Sequence, residues 1–239
     1  MNYKKYKNVK VLKEIDDKIA LVECKGYQFF IRKEKIDAFT VNEVFTCGYL
    51  KHLELESDDI VLDIGMNIGV FSVIASKHCK KIISFEPDID NFNLAKENLK
   101  LNKIENVEIY NEAISDKSGE IELFLNDGVC SDCHSTLPIR GRKSITVKST
   151  DINDIIKKYR PTKMKIDCEG EELNFMQFAN LKDVLNISME VHFVYSKRDN
   201  HKKYFELLRN MEFFYKKEEI KYPKVQDKFS KILTTKRKR

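Results

Sequence analysis

In the run VLDIGMNIGVFSVIA, Val61 to Ala75, a carboxylate, two glycines and an asparagine alternate as Asp63-x-Gly65-x-Asn67-x-Gly69. The run reads as a buried strand, a glycine-bearing turn and the start of a helix, with the acid at the strand's end. Such a junction can cradle a nucleoside-containing cofactor. A dinucleotide fingerprint would need glycine at 65, 67 and 70, where this chain has Gly65, Asn67 and Val70. A phosphate loop ending in Gly-Lys-Ser/Thr is also missing. S-adenosylmethionine (AdoMet) fits what remains. It carries an ammonium and a sulfonium but no phosphate, so it needs no anion-binding nest and tolerates Asp63 beside its ammonium group. Gly65 is expected to let the backbone approach the ligand, and Gly69 to let the helix pack close to the strand.

Glu86 lies 23 residues after Asp63, in SFEPD. An acid at the end of the second strand can accept hydrogen bonds from both ribose hydroxyls of an adenosine cofactor, and Pro87 then stops the strand. Asn111-Glu112-Ala113-Ile114 follows the third strand and is expected beside the adenine. The expected cofactor-binding set is therefore Asp63, Gly65, Met66, Asn67, Gly69, Glu86, Pro87 and Ala113.

The segment Lys165-x-Asp167-x-Glu169-Gly170 ends a fourth strand, where the methyl group would leave sulfur. Methyl transfer is an in-line displacement, so the protein's main task is alignment. A hydroxyl acceptor must also lose its proton. Asp167 is the first candidate to take it and His192, just after Glu190 on a fifth strand, the second. Lys165 reads either as a site residue or as half of a structural ion pair. Glu169 reads either as a site residue or as a cap for the helix that follows. Cys130-x-x-Cys133-His134 has the spacing of haem attachment or half a zinc site, but no second C-x-x-C exists, and no metal is expected.

These residues need elements to hold them. Strand-like runs at Ile60–Ile64, Lys81–Phe85, Val107–Tyr110, Lys163–Asp167 and Asn186–Glu190 alternate with helical patterns at 69–77, 89–102, 151–159, 171–178 and 197–211. That alternation predicts an α/β fold, a mostly parallel sheet with helices on both faces. Ligands bind such sheets beyond the carboxyl ends of the strands, where Asp63, Glu86, Asp167 and Glu190 stand. Residues 1–45 read as an N-terminal β-hairpin appendage, with strands at 19–24 and 27–31 joined by Lys25-Gly26 and a further strand at 9–12. A helix is expected over 42–53. Residues 46–220 read as the cofactor-binding domain, interrupted at 115–150 by an inserted hairpin over the site.

The chain has 239 residues and a net charge of +5, unevenly placed. From Lys216 to Arg239 the net charge is +7, leaving about −2 for the rest. Residues 221–239 are expected to form a basic tail, either a solvated terminus or an arm for a polyanion such as nucleic acid. Six scattered cysteines suit free thiols in a reducing cytoplasm, and MNYKKYKN lacks the apolar core of a secretory signal. No run is long enough to span a membrane.

Together VLDIGMNIGVFS, ISFEPDIDNFNLAKENLKLN, VEIYNEAISDKSGEIEL and KMKIDCEGEE resemble the FkbM family of AdoMet-dependent methyltransferases, over roughly Val61 to Glu190. The resemblance implies a Rossmann-like class I fold with a seven-stranded sheet. It also implies cofactor contacts from Asp63, Gly65, Asn67 and Glu86 with Ala113 near the base, and methylation of hydroxyls on sugars or small metabolites. The family's serine-rich loop matches Ser135-Thr136-Leu137. Two other readings compete. The basic tail and Asn98-Leu-Lys-Leu-Asn102, similar to helices in several tRNA methyltransferases, would suit an RNA methyltransferase. A non-catalytic AdoMet-binding module is the third. The N-terminal β region could pair across a homodimer.

Overall fold

The computed structural model describes residues 6, 8–46, 48–126, 134–136, 141–192, 197–221 and 230–237. Its centre is a seven-stranded sheet. Five strands run parallel: β4 (Ile60–Ile64), β5 (Lys81–Phe85), β6 (Val107–Tyr110), β10 (Lys163–Ile166) and β11 (Asn186–His192). Two more, β12 (Ile220–Lys221) and β13 (Ser230–Lys236), complete the order β12-β13-β11-β10-β4-β5-β6. From β4 the chain winds outward through β5 and β6, then returns to lay β10 and β11 on β4's other side. The order therefore reverses between β4 and β10, which is where such sheets open a ligand crevice.

Strand alternation sorts the side chains onto two faces. Leu62, Ile64, Ile83, Met164, Ile166, Ile187 and Met189 point to one face, packed against α5 (Ile152–Tyr159), α6 (Glu172–Phe175) and α7 (Lys197–Phe214). The other face is covered by α1 (Asp37–Val44), α2 (Tyr49–Leu53), α3 (Val70–Ala75) and α4 (Ile89–Leu101). That second face carries a polar row. Ser84, Asp63, Lys165, Ser188 and Thr234 are in register across β5, β4, β10, β11 and β13, and all are buried.

The N-terminal strands β1 (Lys10–Glu14), β2 (Ile19–Cys24) and β3 (Tyr27–Arg32) form an antiparallel sheet. Lys25 and Gly26 both take positive φ, as a two-residue hairpin requires, and the Gly26 N–H donates to Glu23. α4 closes the free edge of β3 with side chains. Asn98 accepts from the Phe30 N–H (2.7 Å) and donates to the Phe30 carbonyl (3.2 Å) and the Ile68 carbonyl (2.9 Å). Asn102 repeats the pattern on Gln28, accepting from its N–H (3.2 Å) and donating to its carbonyl (2.6 Å). Four residues of helix rise ~6 Å and two residues of strand ~6.8 Å, so the spacings match. The N-L-K-L-N segment, read above as a feature shared with tRNA methyltransferases, is thus occupied inside the molecule.

Three further expectations change. In place of one helix over 42–53 there are two short ones, divided at Gly48 (φ +83), and the first starts at Asp37. Asp37 is fixed there by the backbone N–H (2.8 Å) and guanidinium (2.9 Å) of Arg32. The 115–150 insertion forms a three-stranded sheet. Its hairpin of β8 (Gly119–Phe124) and β9 (Ser144–Asp151) is joined by β7 (Ala113–Ser115), which pairs parallel with β9. Finally, most of the described part of the basic tail is strand β13, antiparallel to β11 along its whole length. Lys236 donates to Glu54 (2.7 Å), and the Arg237 guanidinium donates to the Lys182 carbonyl (2.8 Å) and lies over the Tyr215 ring. Lys238 and Arg239 lie outside the described residues.

Replacing Asn98 with alanine would strip partners from the Phe30 N–H, the Phe30 carbonyl and the Ile68 carbonyl at a buried position. Each orphaned group costs ~1–3 kcal/mol, so Asn98→Ala should lower unfolding stability in urea by at least ~2 kcal/mol. Asn102→Ala, whose bonds to Gln28 are exposed to water, should cost less. Equal effects would contradict the clamp.

Candidate active site

The β4–α3 turn places three residues in left-handed backbone: Gly65 (φ +80), Asn67 (φ +52) and Gly69 (φ +83). The glycines serve two packing contacts. A Cβ on Gly65 would lie 1.7 Å from the Asp167 carbonyl oxygen, so the ends of β4 and β10 touch backbone to backbone. A Cβ on Gly69 would lie 3.1 Å from that of Ala95, on α4. Gly65, expected to make room for a ligand, first makes room for the chain itself. Gly65→Ala should therefore push β10 off β4, lowering the thermal midpoint by several degrees through a loss of more than ~2 kcal/mol. An unchanged midpoint would refute this contact.

Above the turn lies a cavity of about 410 Å³, in the size range of small-molecule sites. Six of the eight expected cofactor residues line it: Gly65, Met66, Asn67, Glu86, Pro87 and Ala113. Gly69 is turned toward α4. Asp63 is fully buried beneath the cavity rather than on its wall. Ser72 Oγ donates to Asp63 (2.6 Å), and Lys165 Nζ lies 3.5 Å from its other oxygen. Burial raises the Asp63 carboxyl above its ordinary range, against the pull of Lys165 and Ser72. Asp63 holds the floor of the site.

Glu86, by contrast, stands on the cavity wall. One carboxylate oxygen accepts the Asn67 N–H (2.8 Å) and the other the Asp88 N–H (3.0 Å). The turn and the start of α4 thereby fix it facing the cavity. Burial pushes its carboxyl up to about 7, against those backbone bonds. A diol could donate to both of its oxygens only while it is ionised, because protonation turns one of them into a donor. His134, passed over beside Cys133, lines the same end. Its Nδ1 accepts the Asn126 N–H (2.9 Å) and its Nε2 lies 3.7 Å from Asp88. Cys130 and Cys133 lie outside the described residues.

All four expected catalytic residues, Lys165, Asp167, Glu169 and His192, line the far end of the cavity. Lys165 Nζ donates to the Gly65 carbonyl (2.7 Å) and lies 3.8 Å from Asp167. Both readings of Lys165 are thus present in one side chain. Tyr49 and Glu190 join them: the Tyr49 hydroxyl is 3.2 Å from both Asp167 Oδ2 and Glu190 Oε2. Glu190 was visible as an acid ending a strand, whereas nothing near Tyr49 in sequence marks it. Glu169 takes positive φ (+57) and makes no helix cap; its carboxylate is 3.6 Å from His192 Nε2. Ser135 Oγ donates to the Glu169 carbonyl (2.6 Å) and Thr136 Oγ1 to Glu171 (2.6 Å), so the serine-bearing loop holds this turn down. His192 Nδ1 is 3.3 Å from Glu172. Burial works to lower the His192 pKa, but Glu172, Glu169 and Asp167 outweigh it and hold the imidazole well above its usual value. A protonated imidazole has no lone pair with which to take a proton.

Residues 63–217, well over half of the chain, match the Methyltransferase FkbM domain. The chain belongs to the FkbM methyltransferase family. Membership implies AdoMet as the methyl donor. The hexuronic acid methyltransferase AglP of Haloferax volcanii is 27% identical over 144 residues, covering 59% of this chain and 56% of that protein. A Methanococcus maripaludis protein named "Probable cobalt-precorrin-6B C(15)-methyltransferase (decarboxylating)" is 31% identical over 155 residues, covering 63% of this chain and 77% of that one. An uncharacterised protein of Methanocaldococcus jannaschii is 40% identical over 55 residues, 23% of this chain and 21% of its relative. The chain thus spans between about a fifth and just over half of two of these curated relatives.

The cavity fits AdoMet. It offers a carboxylate for a ribose diol at Glu86 and apolar walls at Met66, Pro87 and Ala113. Because burial pushes the Glu86 carboxyl up to about 7, and only the ionised form accepts from a hydroxyl at each oxygen, AdoMet affinity should rise with pH. A gain on the order of tenfold between pH 6 and pH 8, measured by calorimetry, is expected. Glu86→Gln should flatten the profile; a flat wild-type profile would show that Glu86 does not meet the ribose.

Proposed function

We propose that this FkbM-family enzyme methylates a hydroxyl of a sugar, glycan or other small hydroxylated acceptor, with Asp167 taking the hydroxyl proton. AdoMet, when bound, supplies an electrophilic methyl carbon on a sulfonium. Glu86, Pro87 and Ala113 would hold its nucleoside. The acids at the ends of β10 and β11 would then face the methyl group. Asp167 stands just past the end of β10, where its backbone lies close against Gly65. Lys165 and Tyr49 hold it from the side.

The observation that carries this reading is the charge of the acceptor end. Glu43 of α1, Asp167, Glu169 and Glu190 line it, with Lys165 the one lysine or arginine among the described lining residues. Carboxylates accept hydrogen bonds from neutral diols and repel phosphates. A neutral sugar suits this wall; the hexuronic acid in a relative's name is also a sugar, but one whose carboxylate this wall would repel. An RNA backbone does not suit it, and Lys236 and Arg237 of the basic segment are engaged within the fold.

Incubation with methyl-labelled AdoMet and, separately, a glycan extract and total RNA should label the glycan fraction. Label confined to RNA would overturn the assignment. With the glycan acceptor, Asp167→Asn should reduce turnover by ~10²-fold or more while leaving AdoMet affinity within a few-fold of the parent. Full turnover in that variant would remove Asp167 from its role.

A further inference from the structure

We propose that the ends of β10 and β11 form a binding site for a divalent metal cation of the Mg²⁺/Mn²⁺ class, with Asp167, Glu190 and His192 as ligands. One donor atom from each of the three lies within 4.8 Å of the others. His192 Nε2 is already 3.7 Å from Glu190 Oε1. Three cis ligands of an octahedral ion at ~2.1 Å stand roughly 3 Å apart, a closure that carboxylate rotation can supply because Glu190, two residues before the end of β11, and Asp167, just past the end of β10, both line the cavity.

The set is not merely acidic. His192 is oriented by a residue outside the set: Glu172, itself buried, accepts the His192 backbone N–H (2.6 Å) and lies 3.3 Å from Nδ1. Glu172 is fixed in turn by the Gly170 N–H (2.8 Å). This leaves Nε2 directed at Glu169 and Glu190. A carboxylate behind one ring nitrogen with the other nitrogen facing oxygen donors is the outer-shell arrangement of metal-binding histidines. The Tyr49 hydroxyl has one proton to share between Asp167 and Glu190, each 3.2 Å away. Lys165 makes its shortest contact with the Gly65 carbonyl, 2.7 Å, rather than with the acids. A divalent ion would supply positive charge to a group of carboxylates that Lys165 meets from one side.

Two carboxylates and one imidazole favour an oxygen-preferring ion and leave open positions on it toward the cavity. An acceptor with neighbouring oxygens could fill them. That role rests on the hydroxyl-methylating reading above, whereas ion binding does not.

The test is therefore binding of Mn²⁺ alone to the full chain, read by loss of the free-ion electron paramagnetic resonance signal, with no acceptor or turnover involved. One Mn²⁺ per chain, displaced by excess Mg²⁺, is expected. Glu172→Gln should weaken it by ~10–100-fold, as outer-shell changes do, and Glu190→Gln and Asp167→Asn by more. AdoMet affinity measured on each variant confirms that it is folded. Absence of stoichiometric binding at millimolar Mn²⁺ would overturn the site. So would binding that all three folded variants retain. Either result would leave the methyltransferase reading intact, since AdoMet binding is measured separately.

Discussion

A buried lysine and a buried aspartate set the geometry of everything above them. Lys165 and Asp63 face each other on adjacent parallel strands at the point where strand order reverses. An isolated charge at either position would be severely destabilising, and removing one partner of a buried pair typically costs about 3–5 kcal/mol. The pair is completed by hydrogen bonds. Ser72 reaches Asp63 from α3, and Lys165 reaches over to the carbonyl of Gly65. One ammonium group thereby joins β4, its glycine turn and β10. The turn that shapes the nucleoside end of the cavity and the strand that carries Asp167 cannot move independently.

Much of this was legible in the sequence, and the reason is local. β4, β5 and β6 are short apolar runs bounded by turns, and their observed limits equal the expected ones. Glu86 was legible because its spacing from Asp63 reflects one strand–helix–strand unit. What was not legible depends on distant partners. Ser230–Lys236 has two large apolar residues among polar ones, and only pairing with β11 makes it a strand. Asp63 sits at a strand end as cofactor acids do, but its direction depends on a lysine a hundred residues away. Tyr49 enters the site from a helix whose sequence shows no chemistry. Gly65 announces a tight approach without saying to what.

The two ends of the cavity differ in origin. The nucleoside end is built from consecutive strand ends and turns of the sheet. The acceptor end combines the sheet's acids with Phe39, Thr40 and Glu43 of α1 and with Tyr49 of α2, all contributed by the chain that precedes β4. Part of that end is therefore encoded apart from residues 63–217, the stretch that the family match covers.

The asparagine pair on α4 gives that separation a mechanical form. Beside a shared apolar core and the Arg32–Asn91 bond, the N-terminal sheet is joined to the rest of the fold through two side chains that read only the main chain of β3. Such a joint is indifferent to side-chain identity in the piece it grips. At Gln28 and Phe30 the grip asks only for extended backbone, whereas Phe29 and Ile31, on the other side of the strand, are tied to α3 and α4 through the shared core. The clamp fixes a register, and the core beneath it fixes a composition.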